Sequence, residues 1–169
     1  MPQSGKNIIY LVQAISATVG SDALVPGFQT EGTWTREKEL ADEQTKSGRI
    51  VAPGNKSETI ELTLFAEDGD AGQQAIDESY DNDQDIKVWR INTKLNANGK
   101  HDARFAYAVI ENLEMSEPSD GFIEMSTSLQ IQGVSQKGEI DPLPPEVLEV
   151  AQYNFETPGE TGTPAPTTS

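Results

Sequence analysis

The chain has 169 residues, 35% of which are hydrophobic, so we expect one domain with a modest core. Its net charge of −16, from 28 acidic and 12 basic residues, argues against a sequence-specific nucleic-acid binder. The absence of cysteine excludes disulfides and thiolate metal sites. No apolar run approaches the ~20 residues of a membrane span and no signal-peptide pattern opens the chain, so we expect a soluble protein without a membrane segment.

The first part of the chain predicts two strands separated by a loop. Residues 7–13 form a first strand with apolar side chains on both faces, which is typical of a buried or central strand. Residues 16–29 are polar and contain glycine and proline, so they are expected to form a loop. A second strand is expected over about 30–41, where Thr33-Trp34-Thr35 suits a pleated surface.

The segment 36–56 is mixed in charge and is interrupted by turn-forming residues. Thr45-Lys46-Ser47-Gly48 predicts a turn, residues 49–52 extend only briefly, and Pro53-Gly54-Asn55 is expected to break the chain again. We therefore interpret 36–56 as a long loop. Clean alternation then predicts a strand over 58–66. Its inward-facing residues are Ile60, Leu62, Leu64 and Ala66.

The centre of the chain predicts one helix, over 71–80, with Asp70 as its N-cap. Its narrow apolar stripe consists of Ala71, Ala75, Ile76 and Tyr80, which is enough to lay a short helix on a sheet. The acidic run 77–85 ends the helix. A strand over 86–95 and a turn over 96–100 follow.

Two long alternating segments joined by a tight turn predict an antiparallel hairpin. They run from Phe105 to Met115 and from Ile123 to Ile131, on either side of Glu117-Pro118-Ser119-Asp120-Gly121. The alternation assigns to one face of the first segment Phe105, Tyr107, Val109, Glu111, Leu113 and Met115. Strands of roughly a dozen residues exceed the usual ~5–6 residues. The edges of so long a hairpin need a cover, and oligomerisation is the simplest one.

Together these elements predict a mainly β (α+β) fold. We expect a β-sandwich or open barrel of about six to eight antiparallel strands with one short flanking α-helix, a long loop and an extended C-terminal tail. The β domain is assigned to 1–140, and a proline-, glycine- and threonine-rich extension to 141–169. Within the extension, apolar residues of 147–155 can dock on the domain, and disorder is expected after about 157.

The residues form no catalytic constellation. The chain's one histidine, His101, falls in a predicted turn beside Lys100 and Asp102, where a solvated role is favoured over a catalytic one. There is neither a phosphate-binding loop nor a dinucleotide fingerprint. Acidic residues are abundant enough for a glycosidase-like carboxylate pair, but abundance alone defines no site. We therefore predict no catalytic residue, no cofactor and no enzyme activity.

The acidic run was tested against the calcium loop of EF-hands. Asp81, Asp83 and Asp85 match its first, third and fifth positions. The sixth position, which needs glycine, is Ile86, and the twelfth, which needs glutamate, is Asn92. Both mismatches fall on residues that the loop geometry requires, so a solvated helix end is the better interpretation and no metal site is predicted.

Several short motifs follow one another along the chain. They are Asn7-Ile8-Ile9-Tyr10-Leu11, Thr33-Trp34-Thr35, Thr45-Lys46-Ser47-Gly48, the alternating strand 58–66, the short helix and the strand of Trp89. In this order, in a chain of this length without a catalytic site, they resemble the major tail proteins (tail tube proteins) of long non-contractile-tailed bacteriophages of Gram-positive bacteria, particularly the lactococcal type. The resemblance covers about 6–135, and Tyr153-Asn154-Phe155-Glu156 is a possible extension of it.

The resemblance implies a structural virion protein that self-assembles into stacked homohexameric rings, which form the tail tube for genome delivery. The implied partners are other copies of the chain, the tape-measure protein, and the tail initiator and terminator proteins, with assembly in the host cytoplasm. DNA is expected to pass through without specific binding, because an acidic lumen repels phosphates. Ring closure also pairs sheet edges between subunits, which covers the long hairpin.

The resemblance assigns roles to two parts of the chain. The loop 36–56 is a candidate for the contact with the next ring, through Arg36, Lys38, Lys46, Arg49 and Lys56. The long hairpin is a candidate contact between subunits, through Tyr107, Val109, Leu113, Leu129 and Ile131. A solvated loop is an equally simple explanation of 36–56, and the hairpin fits both the lumen and the outer layer of the fold.

Two other function classes remain open. A β-sandwich binding module, of carbohydrate-binding or host-surface adhesin type, would display aromatic side chains on one strand face, and only Trp34, Trp89 and Tyr107 are available. A small hydrolase is the third class, and it lacks a nucleophile–base pair. The size of the purified protein discriminates between them, since a tube protein converts to rings or tubes and a binding module stays monomeric.

Overall fold

The computed structural model describes residues 2–18, 23–27 and 29–143. After a short 3₁₀ helix at Gly5–Asn7, the elements are β1 Ile8–Ala14, β2 Gln29–Thr45, β3 Gly48–Phe65, α1 Ala71–Asp81, β4 Ile86–Leu95, β5 His101–Ser116, β6 Glu124–Ile131 and β7 Gln136–Ile140. This confirms the predicted mainly β fold with one helix. The predictions for 147–155 and for the residues after 157 lie outside the described residues, and the division at 140 stays a prediction.

All seven described strands belong to one antiparallel sheet, in which β1, β4, β5, β6, β3 and β2 are neighbours in that order. β5 is the organising strand, because its first half pairs with β4 on one edge and β7 on the other, and its second half pairs with β6. The predicted hairpin of β5 and β6 is confirmed, with the connection at 117–123.

The sheet curls until its two terminal strands meet through a side chain. The Gln29 amide accepts from Tyr10 N at 3.0 Å and donates to Tyr10 O at 2.8 Å, so a β2 side chain takes the place of a strand partner. Gly32 allows this approach, since a Cβ there would lie within 2.3 Å of the Tyr10 ring. The observed form is therefore one open, curled sheet and not two separately bonded sheets.

β1 is terminal in the strand order, so a central position for it was wrong. Its predicted burial is confirmed, because Tyr10, Leu11 and Val12 are each at most 3% exposed. The core lies inside the curl, where the predicted inward residues of β3, Ile60, Leu62 and Leu64, are no more than 1% exposed. Apolar burial of this kind stabilises a fold by ~25 cal/mol per Å² removed from water.

Helix α1 packs against the same core through Ala75 and Ile76. The predicted cap is confirmed, because Asp70 Oδ1 accepts from Gln73 N at 2.8 Å. The predicted stripe is only half right, since Ala71 and Tyr80 are exposed. Gly72 is buried instead. A Cβ at this position would lie 2.7 Å from the backbone of Pro26, so the two backbones approach closely, and this approach fixes the rotation of the helix.

Two β-bulges overturn expectations based on strict alternation. In β5 an extra residue between Ile110 and Asn112 shifts the register, so the core face passes from Ala108 and Ile110 to Leu113. The single apolar face drawn from Phe105 to Met115 was therefore wrong. In β3 the bulge lies opposite Glu39, and it lets one continuous strand pass through the predicted break at Pro53-Gly54-Asn55.

Candidate functional site

The most distinctive surface is a hairpin that projects from the body of the fold, formed by 37–57 at the ends of β2 and β3. We call it the arm. Its ladder runs from Glu37↔Ser57 to Thr45↔Gly48, which is about 30 Å at ~3.4 Å per residue. No residue of the arm is buried, and its apolar side chains include Leu40 beside the bulge and Ile50 near the turn, which are 61% and 58% exposed. The arm therefore presents both of its faces to solvent.

The arm replaces the loop that the sequence predicted for 36–56. Pro53 supplies no N–H for a ladder, but the bulge places Gly54 and Asn55 opposite one residue and absorbs the irregularity. Gly54 is needed there because a Cβ would lie 2.9 Å from Glu39 O. Strand pairing on both sides of the bulge makes this segment a defined element.

The five predicted basic residues do not converge on one site. Lys38 and Lys56 are directly paired across the arm, and Lys46 lies in its turn. Arg49 forms a bidentate pair with Asp42, with nitrogen–oxygen distances of 2.8 and 2.7 Å. The Asp42 hydrogen bond raises the pKa of the Arg49 guanidinium.

A buried polar network fastens the base of the arm. Glu58 is 4% exposed and accepts from Trp34 Nε1 at 3.1 Å, Ser135 N at 2.7 Å and Ser135 Oγ at 2.6 Å. Burial by itself raises the pKa of Glu58, but these hydrogen bonds and the nearby charge of Arg104 outweigh burial and leave that pKa lowered. Glu58 is thus an ionised anchor between β2, β3 and the approach to β7.

Beside this network lies a groove of about 1070 Å³ between β1, β2 and the β4–β5–β7 region. Five basic side chains line it, and we call it the basic groove: Lys6, Arg36, Arg90, Arg104 and Lys137. Only Arg36 belonged to a predicted site. The other four basic residues could not be grouped from the sequence without the strand register, because the five come from five separate segments of the chain.

The predicted hairpin residues divide between surface and core. Tyr107 and Val109 are each 42% exposed, whereas Leu129 is fully buried. Leu113 and Ile131 are partly buried against the core. The ring of Tyr107 stacks edge-on against Phe105, which in turn contacts Trp89. An exposed hydrophobic strip thus follows the outer face of β5, and its aromatic rings fix the side chains in place.

His101 does not lie in a solvated turn, as its neighbours suggested. It opens β5 with no exposed surface, and its Nδ1 lies 3.0 Å from Asn92 O. The turn at 96–100 leads directly into paired strand, so the ring is buried by the sheet. Its position in the sheet, with a backbone oxygen as partner, assigns it a packing role.

Comparison with known proteins identifies the family. A family model for phage tail tube proteins matches residues 2–137. The chain belongs to the phage tail tube protein family. Within this family, it is 46% identical over 169 residues to tail tube protein gp17.1* of Bacillus phage SPP1. That match covers 99% of this chain and 64% of the relative, so the chain spans less than two thirds of that tail tube protein's length.

Two solved structures share the fold. The SPP1 tail tube, solved by solid-state NMR and cryo EM, matches with a TM-score of 0.82 and 42% identity, covering 99% of this chain and 98% of that one. The tail of an empty gene transfer agent particle, refined with C6 symmetry, matches with a TM-score of 0.63 and 13% identity. That match covers 80% of this tail tube family chain and 98% of the other, and at this identity it shows the fold alone.

The rest of the described surface adds no second kind of site. Among residues 2–18, 23–27 and 29–143, no group of three acidic or histidine side chains could hold a metal ion. Over the same residues, no helix is both long and apolar enough to cross a membrane. Of the acidic run, Asp81 ends α1, and Asp85 accepts a 2.7 Å hydrogen bond from Gln132.

Proposed function

We propose that the chain is a subunit of a phage tail tube and self-assembles into stacked hexameric rings that conduct the genome during delivery. The observation that carries this proposal is the arm, an element of about 30 Å without a packed face, on a chain of the tail tube family. A two-stranded ribbon is marginal alone, so a defined arm implies a partner surface.

The unpaired edges of the sheet support a ring. Among the strands that the structure describes, β2 has β3 as its only neighbour. β4 accompanies β5 only to Ala108, so one edge of β5 beyond Val109 has no strand partner among the described residues. Ring closure between subunits covers such edges, and a head-to-tail contact that does not close extends into a filament. The hexamer itself rests on the family resemblance, and the C6 tail noted above is built on the same fold.

In this assembly the arm is the contact with the next ring, made by Lys38, Lys46, Arg49 and Lys56. Arg36 lies nearer the body, opposite Glu58. The exposed members of the hairpin set, Tyr107 and Val109, are the candidates for contact between neighbours in one ring.

The remaining partners follow from the same role. A tail tube encloses a tape-measure protein and requires an initiator and a terminator, and it is located in the virion tail after assembly in the host cytoplasm. DNA passes without specific binding, which agrees with a net charge of −16 that repels phosphate. The proposed role is structural and involves no enzyme activity.

Negative-stain electron microscopy across protein concentration and salt tests the proposal. The full chain is expected to form rings or tubes of uniform diameter. A variant in which a two-residue Asn-Gly turn replaces 39–55, so that the paired Lys38 and Lys56 flank the turn, is expected to keep the fold and form at most single rings. A chain that stays monomeric at every concentration, with charges screened by salt, would contradict the proposal and favour a binding module.

A further inference from the structure

The basic groove concentrates positive charge in a chain that is strongly acidic overall. Five of the 12 basic residues line it beside only two acidic ones, Glu31 and Asp102, although the net charge is −16. None of the five forms an ion pair with the part of the chain that the structure describes. The side chains of Lys6, Arg36 and Lys137 are exposed, so the groove is open to a partner.

Strand register forces three of these charges into one row. Arg90 lies directly opposite Arg104, and Arg104 lies directly opposite Lys137. Adjacent strands are ~4.8 Å apart, and like charges that face each other across them are destabilising. Burial and repulsion from Arg36 and Arg90 lower the pKa of Arg104, although the Glu58 carboxylate opposes this. The row therefore places three positive charges beside the single Glu58 carboxylate, which leaves a net positive charge that favours a further anion.

The C-terminal end of α1 carries the opposite problem. Residues 67–85 contain eight acidic side chains and no basic one. Asp77, Glu78 and Asp81 are exposed in the last turns of the helix, and Asp83 is exposed in the turn that follows. The C-terminus of a helix is the negative end of its dipole, so carboxylates there are unfavourable for the helix itself. We call these four residues the acidic helix end.

Within one molecule, the basic groove and the acidic helix end are too far apart to contact each other. The helix end packs beside Val109–Glu111, whereas the groove lies at Arg104 on the same strand. Six residues separate Arg104 from Ile110, which is about 20 Å along the strand. A contact between the two surfaces must therefore join two copies of the chain.

We propose that the basic groove binds the acidic helix end of a second copy of this chain. This inference rests on the proposed function and names one of its subunit contacts. The contact is heterologous, since each copy contributes a different surface, and such contacts generate rings or filaments. It removes repulsion on both sides at once, which neither surface achieves alone.

Other anions are weaker candidates for the groove. Nucleic acid and a second copy both meet the long-range repulsion of a chain of −16, so the local arrangement of charge decides between them. A second copy brings a dense, described cluster of carboxylates. Carboxylates also match the planar fork of arginine, which binds them in a bidentate manner.

Charge reversal tests the contact. The groove variant is Arg36→Glu with Lys137→Glu, and the helix variant is Asp77→Lys with Asp81→Lys; all four side chains are exposed. Each is expected to raise the concentration needed for ring or tube formation roughly tenfold, measured by light scattering and electron microscopy. The combination of all four changes restores the wild-type net charge and is expected to recover assembly to within about threefold.

Matched controls separate the contact from net charge. Lys94→Glu with Lys100→Glu changes the charge as the groove variant does, and Glu117→Lys with Asp120→Lys changes it as the helix variant does. The second control lowers the net negative charge, so it is expected to assemble at least as readily as wild type. Thermal unfolding of every variant excludes loss of fold as the cause.

The outcomes of this proposal and of the proposed function are distinct. Wild-type tubes with unaffected reversal variants would overturn the contact and leave the tube function standing. Loss of assembly in the groove variant alone would assign the groove to another anion and also overturn the contact. If wild type formed neither rings nor tubes, the tube function would fail. Sedimentation would then measure weak dimers, and the groove and helix variants would be expected to dimerise less than wild type and less than the combination of all four changes.

Discussion

The body and the arm are parts of the same two strands, and they are stabilised differently. In the body, β3 alternates between buried and half-exposed residues, and Ile60, Leu62 and Leu64 have lost nearly all of their surface. In the arm, the same strands continue with no buried residue at all. Apolar burial specifies the register of the body, whereas only the ladder, the turn and one bulge specify that of the arm.

This difference shows which part of the molecule is packed within the subunit and which part has no packing partner there. The body encloses its own hydrophobic core. The arm has a fixed backbone course but no packing partner, so its apolar residues Leu40, Ile50 and Val51 remain on the surface. Changes in the body are therefore expected to act on stability, and changes in the arm on assembly.

The largest contrast is expected between two leucines at different ends of this hairpin. Leu62→Ala, in a site that is 1% exposed, should lower the free energy of unfolding by about 2–5 kcal/mol, because it leaves a cavity in the core. Leu40→Ala, at 61% exposure, should change it by at most about 0.5 kcal/mol. Urea denaturation of both variants measures the difference, and equal effects would show that the arm is packed on the body.

A second contrast concerns the seam where β2 approaches β1. Gly32→Ala should destabilise the chain by about 1–3 kcal/mol, because the new Cβ would overlap the buried Tyr10 ring. Gly5→Ala adds a Cβ that meets nothing within 4 Å and serves as the control. If thermal denaturation gave the two variants the same midpoint, the curled closure of the sheet would be in error.

The anchor at the base of the arm predicts a pH dependence. The folded pKa of Glu58 is lowered, so its stabilisation is complete above the unfolded value of about 4.3 and is lost as the pH falls through the folded value. The difference in unfolding free energy between wild type and Glu58→Gln should therefore be constant from pH 7 to about 4.3 and shrink as the pH falls further, towards the lowered folded value. A difference that stayed constant at the lower pH as well would mean that Glu58 is not ionised in the folded protein.

The smallest effect on stability is expected at the tip of the arm. Arg49→Ala removes a solvent-exposed ion pair with Asp42, so the melting temperature should not change measurably. The same variant should raise the concentration at which tubes form, if the arm reaches the next ring. A melting temperature well below that of wild type would place Arg49 in the stability of the body instead.

The sequence predicted the elements that periodicity and capping control. The alternation of β3, the Asp70 cap and the β4 boundaries at Ile86 and Leu95 all rest on local chemistry, and all are confirmed. The arm was missed because Pro53-Gly54-Asn55 has the composition of a break, and only its partner strand reveals a bulge.

The candidate site was less accessible to prediction, for a related reason. The family resemblance named the region of the arm, but the Glu58 anchor joins residues 77 positions apart in the chain. The row Arg90–Arg104–Lys137 depends on strand register in the same way. His101 was misplaced because the adjacent Lys100 and Asp102 suggested solvent, while the strand pairing buries the ring.

The Gln29 amide has a consequence for the mechanics of the body. One rotation of that side chain releases two hydrogen bonds to Tyr10, whereas parting any two neighbouring strands elsewhere breaks a whole ladder. The seam between β1 and β2 is thus the boundary within the curled sheet that the fewest hydrogen bonds hold together. We expect the curled sheet to open first along this seam, because no strand ladder joins β1 to β2.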